Sequence, residues 1–423
     1  MFARQKWFGM SDIRSVGIKL DDTYCGRCSI CCSLCSYEAI SADPETGEVK
    51  IDVEKCQFCG ICYSACPVAA IDIIYYDNET LVKHVKKHMK EKNSRILVLM
   101  CRGNSPSTCE VEEILQKENI NASNYIPMRV PCVGRITTEF IMKTLASGIK
   151  RIIAIQCEDD FCRYKRGSRI NTRRQLLTKE LLKQMGFKDN ALTVVKHAQK
   201  AVYFTEKCVG CDKCTSTCPY EAIETEAFAT PKINLDKCVG CGACALVCPH
   251  LAIQLKGFEY ETVSSLIQRF AKAARHLKAT GVKPTILVFC CQWSEFSALD
   301  QPENRLFGNR AVVLEIPCSK GLDPVHVVEA LRSGFDGVLA VICSPEDCKL
   351  ELGRDVAERN TTTLQQTLKK LKLQSRFEIY TTSPRCVGDF NKKLDAFIQK
   401  IGALPSLDVT IPPQIVNIGG SDK

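Results

Sequence analysis

The sequence lacks the segments and motifs that define several large protein classes. No apolar run approaches the roughly 18 residues that a membrane span needs, and residues 1–17 lack the apolar core of a signal peptide. The patterns G-x-G-x-x-G, P-loop, H-E-x-x-H and Ser-His-Asp are also absent. We therefore expect a cytoplasmic protein without a membrane span, and the sequence indicates no catalytic residue.

Cysteine, in contrast, is abundant, with 28 among 423 residues. Disulfide-dense scaffolds are small and secreted, whereas this chain is long enough for about three domains. Its 45% hydrophobic and 25% charged residues are close to the average of globular proteins. In a reducing compartment, clustered thiols at fixed spacing indicate metal ligands or redox centres rather than disulfides.

The cysteines show that one unit occurs twice. Eight closely spaced cysteines recur 182 or 183 residues later, and three sparser ones, Cys132, Cys157 and Cys162, recur 186 residues later as Cys318, Cys343 and Cys348. Cys101 corresponds to Cys291. Each unit has a cysteine-dense part followed by a longer part with few cysteines. The repeat predicts four domains in the order small, large, small, large, at residues 18–76, 94–198, 201–256 and 284–402.

Each small domain contains the run C-x2-C-x2-C-x3-C twice. Over residues 18–76 and 201–256 the chain therefore resembles two-cluster bacterial-type ferredoxins. In that family three cysteines of a run bind one 4Fe-4S cluster, and the fourth crosses over to the other cluster. The resemblance implies four 4Fe-4S clusters. Their ligands would be Cys25, Cys28, Cys31 and Cys66; Cys56, Cys59, Cys62 and Cys35; Cys208, Cys211, Cys214 and Cys248; and Cys238, Cys241, Cys244 and Cys218.

Four versions of one turn follow the fourth cysteines, CSYEAI, CPVAAI, CPYEAI and CPHLAI. We expect their Ala and Ile residues to pack beneath the clusters. Ser36 stands where the other three turns have proline, which predicts a looser loop there. A zinc ribbon is the alternative, but four successive triplets with an x3-spaced fourth cysteine do not suit tetrahedral zinc sites.

The large domains have apolar runs that end on cysteines: RILVLMC, IPMRVPC and RIIAIQC in the first, and TILVFCC, VVLEIPC and GVLAVIC in the second. Amphipathic helical stretches lie between these runs. The alternation predicts parallel sheets with helices on their faces. Because ligands bind outside the carboxyl ends of such strands, we expect the cysteines to converge there. The fold class is α/β plus α+β, with two ferredoxin-like two-cluster domains alternating with two parallel-sheet α/β domains.

The large domains resemble the iron-sulfur delta subunit that links hydrogenases to heterodisulfide reductase in methanogens. The resemblance rests on VPC-x-GRI around Cys132, IPC-x-KG around Cys318, the stretch QCEDDFCRYKR and the helix NTRRQLLTKELLKQMG. It implies one 2Fe-2S cluster per large domain. The family's second cysteine is replaced here by Asn104 and by Ser294. Four cysteines remain in each domain as expected ligands: Cys101, Cys132, Cys157 and Cys162; and Cys291, Cys318, Cys343 and Cys348.

Several alternatives stay open for the large domains. Spacing does not fix nuclearity, and zinc or four buried structural thiols would also account for four cysteines. Cys109 lies close enough in sequence to replace Cys101 as a ligand. With Cys32, Cys290 and Cys386, it belongs to the four cysteines outside the two sets, which we expect to be small core hydrophobes.

The formal charge of +9 counts every thiol as neutral. Six oxidised clusters at roughly −2 each would bring the protein near −3, so nucleic-acid binding is not expected. Part of the basic excess would then be local compensation, as in Arg163, Lys165, Arg166 and Arg169 after Cys162. The lysine-rich stretch 81–92, with His84 and His88 one turn apart, is expected to be a solvated helix face.

The functional expectation is a multi-cluster iron-sulfur electron-transfer subunit of an anaerobic hetero-oligomeric complex. The resemblance implies a heterodisulfide-reductase-like flavoprotein on one side and a hydrogenase, formate dehydrogenase or other dehydrogenase on the other. The Cys-Cys-Gly motif of catalytic heterodisulfide reductase is absent, so catalysis by the chain alone is not expected. The alternatives are a reductase subunit whose large-domain cluster binds substrate, and a structural zinc or redox-sensing module.

Overall fold

The computed structural model describes residues 17–73, 76–102, 106–121, 124–225, 230–291, 310–318, 322–343, 353–382, 389–405 and 407. The first part, residues 17–73, is called the first cysteine-rich segment. It contains β1 (Ile18–Leu20), α1 (Ile30–Leu34), β2 (Ile40–Ala42), β3 (Val49–Ile51), α2 (Ile61–Ala65) and β4 (Ile71–Ile73). The strands β1 and β4 form one antiparallel pair, and β2 and β3 form another. Such short strands and helices bury little, so the segment packs as one core with the sheet that follows.

The first α/β unit, residues 78–197, forms a four-stranded parallel sheet. Its elements are α3 (Asn78–Lys92), β5 (Ile96–Cys101), α4 (Thr108–Lys117), β6 (Ile126–Val130), α5 (Thr138–Ala146), β7 (Arg151–Cys157), α6 (Gly167–Gln184) and β8 (Leu192–His197). The strand order is β6-β5-β7-β8, and every pair is parallel. The predicted parallel sheet is confirmed, and β8 adds a fourth strand that the sequence did not indicate.

The second cysteine-rich segment, residues 201–255, repeats the pattern of the first. It contains β9 (Ala201–Tyr203), α7 (Lys213–Thr217), β10 (Ile223–Glu224), β11 (Lys232–Ile233), α8 (Ala243–Val247) and β12 (Ile253–Leu255). The strand β9 pairs with β12 and β10 pairs with β11, both antiparallel. These pairings correspond to β1 with β4 and β2 with β3, so the internal repeat extends to the hydrogen-bonding pattern.

The second α/β unit, residues 260–402, again forms a four-stranded parallel sheet. Its elements are α9 (Tyr260–Ala279), β13 (Ile286–Cys291), β14 (Ala311–Ile316), α10 (Pro324–Ser333), β15 (Gly337–Cys343), α11 (Gly353–Lys370), β16 (Phe377–Thr382) and α12 (Asp389–Gly402). The order β14-β13-β15-β16 matches that of the first unit. Among the described residues, no helix is long and apolar enough to cross a membrane.

Helices cover both faces of each sheet, which explains the continuous apolar runs of the central strands. Leu97, Val98 and Leu99 on β5 are all fully buried, although successive side chains point to opposite faces. Serine, threonine and aspartate caps fix where the covering helices begin. Ser107 and Glu110 form a capping box at α4, and Thr137 caps α5.

The histidines of α3 are buried, so the expectation of a solvated face was wrong for them. His84 and His88 are 3% and 4% exposed, and their rings stack with centroids 4.1 Å apart. The lysines between them occupy the outer face, while the histidines face the first α/β unit. A lysine-rich helix can therefore bury the two positions that lie one turn apart.

A salt bridge joins the two α/β units at equivalent positions of the repeat. Arg129 on β6 contacts Glu315 on β14, with Nε 2.8 Å from Oε2, and the two residues are 186 positions apart. Both strands are edges of their sheets. Contact between equivalent residues is characteristic of an isologous interface, so the halves of the chain meet as the subunits of a pseudo-symmetric dimer do.

We expect Arg129→Ala to destabilise the chain by about 3 kcal/mol, because it leaves the buried carboxylate of Glu315 without its partner. The exchanged pair Arg129→Glu with Glu315→Arg should recover most of this loss. Thermal unfolding of the single and double variants measures both effects. Equal melting temperatures of Arg129→Ala and the parent chain would contradict the account.

Candidate metal centres

Two cavities in the second cysteine-rich segment are each lined by four cysteines. Each has a volume of about 360 Å³ including its mouth. Cys208, Cys211, Cys214 and Cys248 line one, and Cys218, Cys238, Cys241 and Cys244 line the other. The fourth cysteine of each run thus lies with the three cysteines of the other run. Glycine and apolar residues form most of the remaining lining.

In the first cysteine-rich segment, one fourth cysteine, Cys35, lies near the cysteines of the other run. Burial raises the pKa of the Cys59 thiol, and the nearby thiols of Cys62, Cys56 and Cys35 raise it further. Burial also raises the pKa of Cys62 to about 12, again with contributions from Cys56 and Cys35. Cys35 therefore belongs spatially to the second run, as the crossed pattern predicts.

The turn after each fourth cysteine holds its sulfur with a backbone amide. The N–H of the alanine four residues later donates to Sγ, over 3.2–3.4 Å, in all four copies: Ala39 to Cys35, Ala70 to Cys66, Ala222 to Cys218 and Ala252 to Cys248. The predicted burial is confirmed, since each alanine and the isoleucine after it are at most 6% exposed. An amide that donates to sulfur stabilises a thiolate.

The loop at Ser36 is not looser than its counterparts, and that expectation was wrong. Glu38 donates its N–H to the carbonyl of Cys35 over 3.3 Å, as Ala69 does to Cys66. Glu38 and Ala69 also share a φ of 52°. The hydrogen bond and the left-handed residue define the turn, so proline is not required to form it.

Four thiols converge at the carboxyl edge of the first parallel sheet. Cys101 ends β5, Cys157 ends β7, and Cys132 follows β6 by two residues. The Cys101 thiol hydrogen-bonds with those of Cys132 and Cys157, and the Cys157 thiol hydrogen-bonds with that of Cys162. The strand order reverses between β5 and β7, which is the position where open α/β sheets bind ligands.

Backbone amides also point at this site. The N–H of Val133 donates to Sγ of Cys101 over 3.1 Å, and the N–H of Ser168 donates to Sγ of Cys162 over 3.3 Å. The hydrogen bond with Cys101 and burial raise the pKa of Cys157 to about 12, although the hydrogen bond with Cys162 acts in the opposite direction. The free thiols therefore stay protonated near neutral pH, and a metal has to displace their protons when it binds.

The second sheet presents three of its four expected ligands in the same way. Cys291 and Cys343 end β13 and β15, with their sulfurs 4.0 Å apart, and Cys318 follows β14 by two residues. All three are buried. Cys348, and the positions Asn104 and Ser294 where the family's second cysteine is replaced, lie outside the described residues.

Four thiolates are a ligand set of iron-sulfur clusters and of zinc alike. In the described part of the chain, no group of three or more His, Cys, Asp or Glu side chains is arranged to hold one metal ion. Zinc bound by four thiolates needs them tightly placed, at Zn–S distances of about 2.3 Å.

The four remaining cysteines lie apart from these sites or outside the described residues. Cys290 is fully buried in the second α/β unit, as expected of a core residue, and Cys32 is half-buried on α1. Cys109 is exposed on α4, near Glu112 and Arg269, so the expectation of a buried residue was wrong. Cys101 meets the other thiols, whereas Cys109 does not. Cys386 lies outside the described residues.

The loop after Cys162 connects both cysteine-rich segments with the first α/β unit. Tyr37 of the first segment donates its hydroxyl proton to the carbonyl of Arg163 over 2.8 Å. The guanidinium of Arg163 donates in turn to the carbonyl of Val239, over 3.0 Å, in the second segment. Val239 lies between Cys238 and Cys241. The four thiols at the first sheet therefore lie between two four-cysteine sites.

Further side chains tighten this contact on the side of the first segment. Lys165 and Arg166 donate to the carbonyls of Ser36 and Ser33, over 3.4 and 2.9 Å. Tyr164 is buried, and its pKa is raised by burial and then by the neighbouring thiols of Cys59 and Cys132. Tyr164 thus lies near Cys59 of the first cysteine-rich segment and near Cys132 of the four-thiol site at the first sheet. Sequence reasoning took these basic residues for charge compensation and missed their contacts with the segments.

Arg135 is the functional candidate that sequence reasoning missed. It follows Cys132 by three residues and is 1% exposed. None of its guanidinium nitrogens has a hydrogen-bond partner among the described residues, although the rings of Tyr63 and Tyr76 lie 5.2 and 5.5 Å away. Burial lowers its pKa to about 10, which still leaves it charged at neutral pH.

A buried cation without a carboxylate contact is costly unless an anion compensates it. Arg135 packs against Gly60, where an added Cβ would lie 3.0 Å from Nε. Gly60 lies between Cys59 and Cys62, and the carboxylate of Asp77 and the thiol of Cys132 are near enough to act on the pKa of Arg135. Anionic thiolate–metal groups on either side would supply the missing negative charge. The signal in the sequence was an arginine inside VPC-x-GRI, but only tertiary structure shows that it is buried.

Comparison with known families agrees with this geometry. The model of the methyl-viologen-reducing hydrogenase delta subunit matches residues 96–208 and 286–405. The chain belongs to this family. A 4Fe-4S dicluster domain matches residues 195–252, and a 4Fe-4S binding domain matches residues 49–72. The delta-subunit matches cover both parallel sheets, and 4Fe-4S binding domains are present in both cysteine-rich segments.

Two kinds of curated relatives are similar to the chain. One is a subunit of the ferredoxin/F420H2-dependent CoB-CoM heterodisulfide reductase of Methanosarcina acetivorans, 34% identical over 173 residues, which are 40% of this chain and 21% of the reductase subunit. The other is an iron-sulfur subunit of the F420-non-reducing hydrogenase of Archaeoglobus profundus, 29% identical over 126 residues, which are 28% of this chain and 92% of that protein. The chain thus spans about a fifth of the reductase subunit that it matches.

Proposed function

We propose that the protein is an electron-transfer subunit that relays single electrons between a hydrogenase or other dehydrogenase and a heterodisulfide-reductase-like flavoprotein complex. The observation that carries this proposal is the position of the four-thiol site of the first sheet between the two cysteine-rich segments, bridged by Tyr37, Tyr164 and Arg163. A site between two others is what a relay requires.

The cysteines would hold the groups that carry the electrons. Within residues 18–76 and 201–256 we assign four 4Fe-4S clusters with crossed ligands, and in the two α/β domains two 2Fe-2S clusters. Iron-sulfur clusters supply one-electron chemistry, with potentials set by hydrogen bonds, charge and burial. The chain's own contribution is to bury part of the sulfurs and to donate amide hydrogen bonds to them, as the N–H groups of Val133 and Ser168 do.

We infer the partners of this chain from the complexes to which its relatives belong. One relative belongs to a heterodisulfide reductase and another to a hydrogenase. A chain that combines segments similar to both suits a place between two such enzymes within a hetero-oligomeric complex. In this account the repeat lengthens the relay rather than adding a catalytic site.

Pulse radiolysis of the anaerobic protein tests the relay. Electrons delivered to the most exposed centres should redistribute in a first-order phase whose rate is independent of protein concentration. Cys157→Ser, which removes a thiol from the first sheet's site, should abolish the fast part of this phase. Cys343→Ser, at the equivalent position of the second sheet, is the matched control and should retain transfer between the two cysteine-rich segments. An unchanged phase in Cys157→Ser, with its cluster absent by EPR, would rule out the relay.

Removing the buried charge of Arg135 should lower a reduction potential. A cation beside a cluster stabilises its reduced, more negative state, so Arg135→Met is expected to shift at least one midpoint potential to a more negative value. EPR-monitored redox titration measures the shift. Arg376→Met is the control, because Arg376 is also buried but donates to the carbonyl of Asp336 in the second unit. Identical potentials in Arg135→Met and the parent would show that Arg135 is only structural.

A further inference from the structure

The helix α6 buries polar residues and exposes apolar ones, the reverse of an ordinary helix on a sheet. Most of its inward positions are polar: Ser168, Asn171, Gln175 and Thr178 are all at most 2% exposed, and Leu182, in the last turn, is the apolar exception. Most of their polar atoms are hydrogen-bonded within the unit: Asn171 donates to Gln156 over 2.5 Å and Gln175 donates to Asn171 over 3.1 Å, whereas Oε1 of Gln175 has no hydrogen-bond partner among the described residues. Its outward positions include Leu176 and Leu177, which are 60% and 61% exposed.

The exposed apolar residues form a continuous face. Leu177, the half-buried Leu181 and Met185 follow one another at four-residue steps and so lie in one row along the helix and the turn after it. Leu176 lies beside this row, and Phe187, 37% exposed, lies beyond it. Single exposed apolar residues are ordinary, but four large ones within twelve residues are a patch of the kind that marks an interaction site. We call these residues the α6 face.

The second copy of the repeat supplies an internal comparison. The helix α11 corresponds to α6 residue for residue, 186 positions later, and has Thr362 and Thr363 where α6 has Leu176 and Leu177. Its position equivalent to Thr178 is Leu364, which is 2% exposed. Over residues 362–370, the part of α11 whose side chains the structure describes, the second copy is therefore apolar inside and polar outside. Because the same fold does not require the α6 face, the face has a use outside the unit.

The charges beside the face indicate its occupant. Helix α6 has five basic residues and one acidic one. Arg173 is exposed one turn before Leu177, at the start of the apolar row, and Lys183 is exposed two turns after Leu176, beside the row. The acidic residue, Glu180, is exposed one turn after Leu176. A second copy of this chain would bring two helices with the same excess of positive charge together. Residues 1–16, with Arg4, Lys6 and Arg14 against Asp12, would also be repelled.

We propose that the α6 face is the docking surface for a different protein, whose contact area has an apolar centre and carboxylates at its rim. The helix begins at the first sheet's four-thiol site, where the N–H of Ser168 donates to Sγ of Cys162 over 3.3 Å. Leu177 lies roughly 14 Å further along the helix axis. On the relay function proposed above, on which this part rests, the partner is a redox protein that exchanges electrons with that site.

Site-specific photo-cross-linking in the holo protein, within cells of its own source, tests the proposal. A benzoylphenylalanine at position 177 should cross-link to another polypeptide through a peptide that contains Asp or Glu, and the same probe at position 363 should not. Cross-links only to a second copy, only within the chain, or to nothing would overturn the proposal. Iron and sulfide content of the same preparation reports separately on the relay function.

The partner identified in this way then gives a quantitative test. Leu176→Thr with Leu177→Thr, which introduces the residues of the second copy, should weaken binding at least about tenfold. Arg173→Glu should weaken it too and reduce its dependence on ionic strength. Thr362→Ala with Thr363→Ala is the matched control, with unchanged affinity. Equal affinities of the leucine variant and the parent would overturn the proposal even if a cross-link had formed.

Discussion

The crowding of buried thiols is the constraint on which the rest of the structure depends. Thiols such as Cys62 and Cys157 have pKa values raised to about 12, so without a metal they are protonated and neutral. Binding metal turns them into buried anions, and the fold around them is built for that state. Amide N–H groups aim at the sulfurs, and Arg135 brings a cation that no carboxylate contacts among the described residues. The protein surrounding the sites is therefore arranged for negative charge.

Duplication explains how one chain places several such sites in succession. Each half combines a cysteine-rich segment with a parallel sheet whose strand ends carry cysteines, and Arg129 with Glu315 joins the halves at equivalent positions. The halves have since diverged. The loop from Arg163 to Arg166 connects the first sheet with both segments, and α6 exposes leucines where α11 has threonines. Because of this divergence, the two halves of the pseudo-symmetric molecule differ in their contacts and in the surface that they expose.

The parts of the fold that a short sequence pattern determines could be predicted. An apolar run that ends on cysteine predicted β5, β7, β13 and β15 with their ends, and the resemblance to two-cluster ferredoxins implied that the fourth cysteines are exchanged. The strands β8 and β16 were missed because their sequences, LTVVKH and FEIYTT, mix polar with apolar residues and do not end on a cysteine. Local composition was misleading at His84 and His88, because tertiary packing decides which face of a lysine-rich helix is buried. Arg135 is buried by residues that are far apart in the sequence, so no local pattern reveals that its guanidinium lacks a hydrogen-bond partner among the described residues.

The most direct test of the central claim is iron, acid-labile sulfide and zinc analysis of the anaerobically purified protein, with low-temperature EPR after reduction by dithionite. Four 4Fe-4S and two 2Fe-2S clusters contain about twenty irons. The account predicts this content, no zinc, coupled 4Fe-4S signals and a distinct 2Fe-2S signal. About sixteen irons with two zincs would contradict it, because the sheet sites would then be structural and the first sheet could not carry electrons between the two cysteine-rich segments.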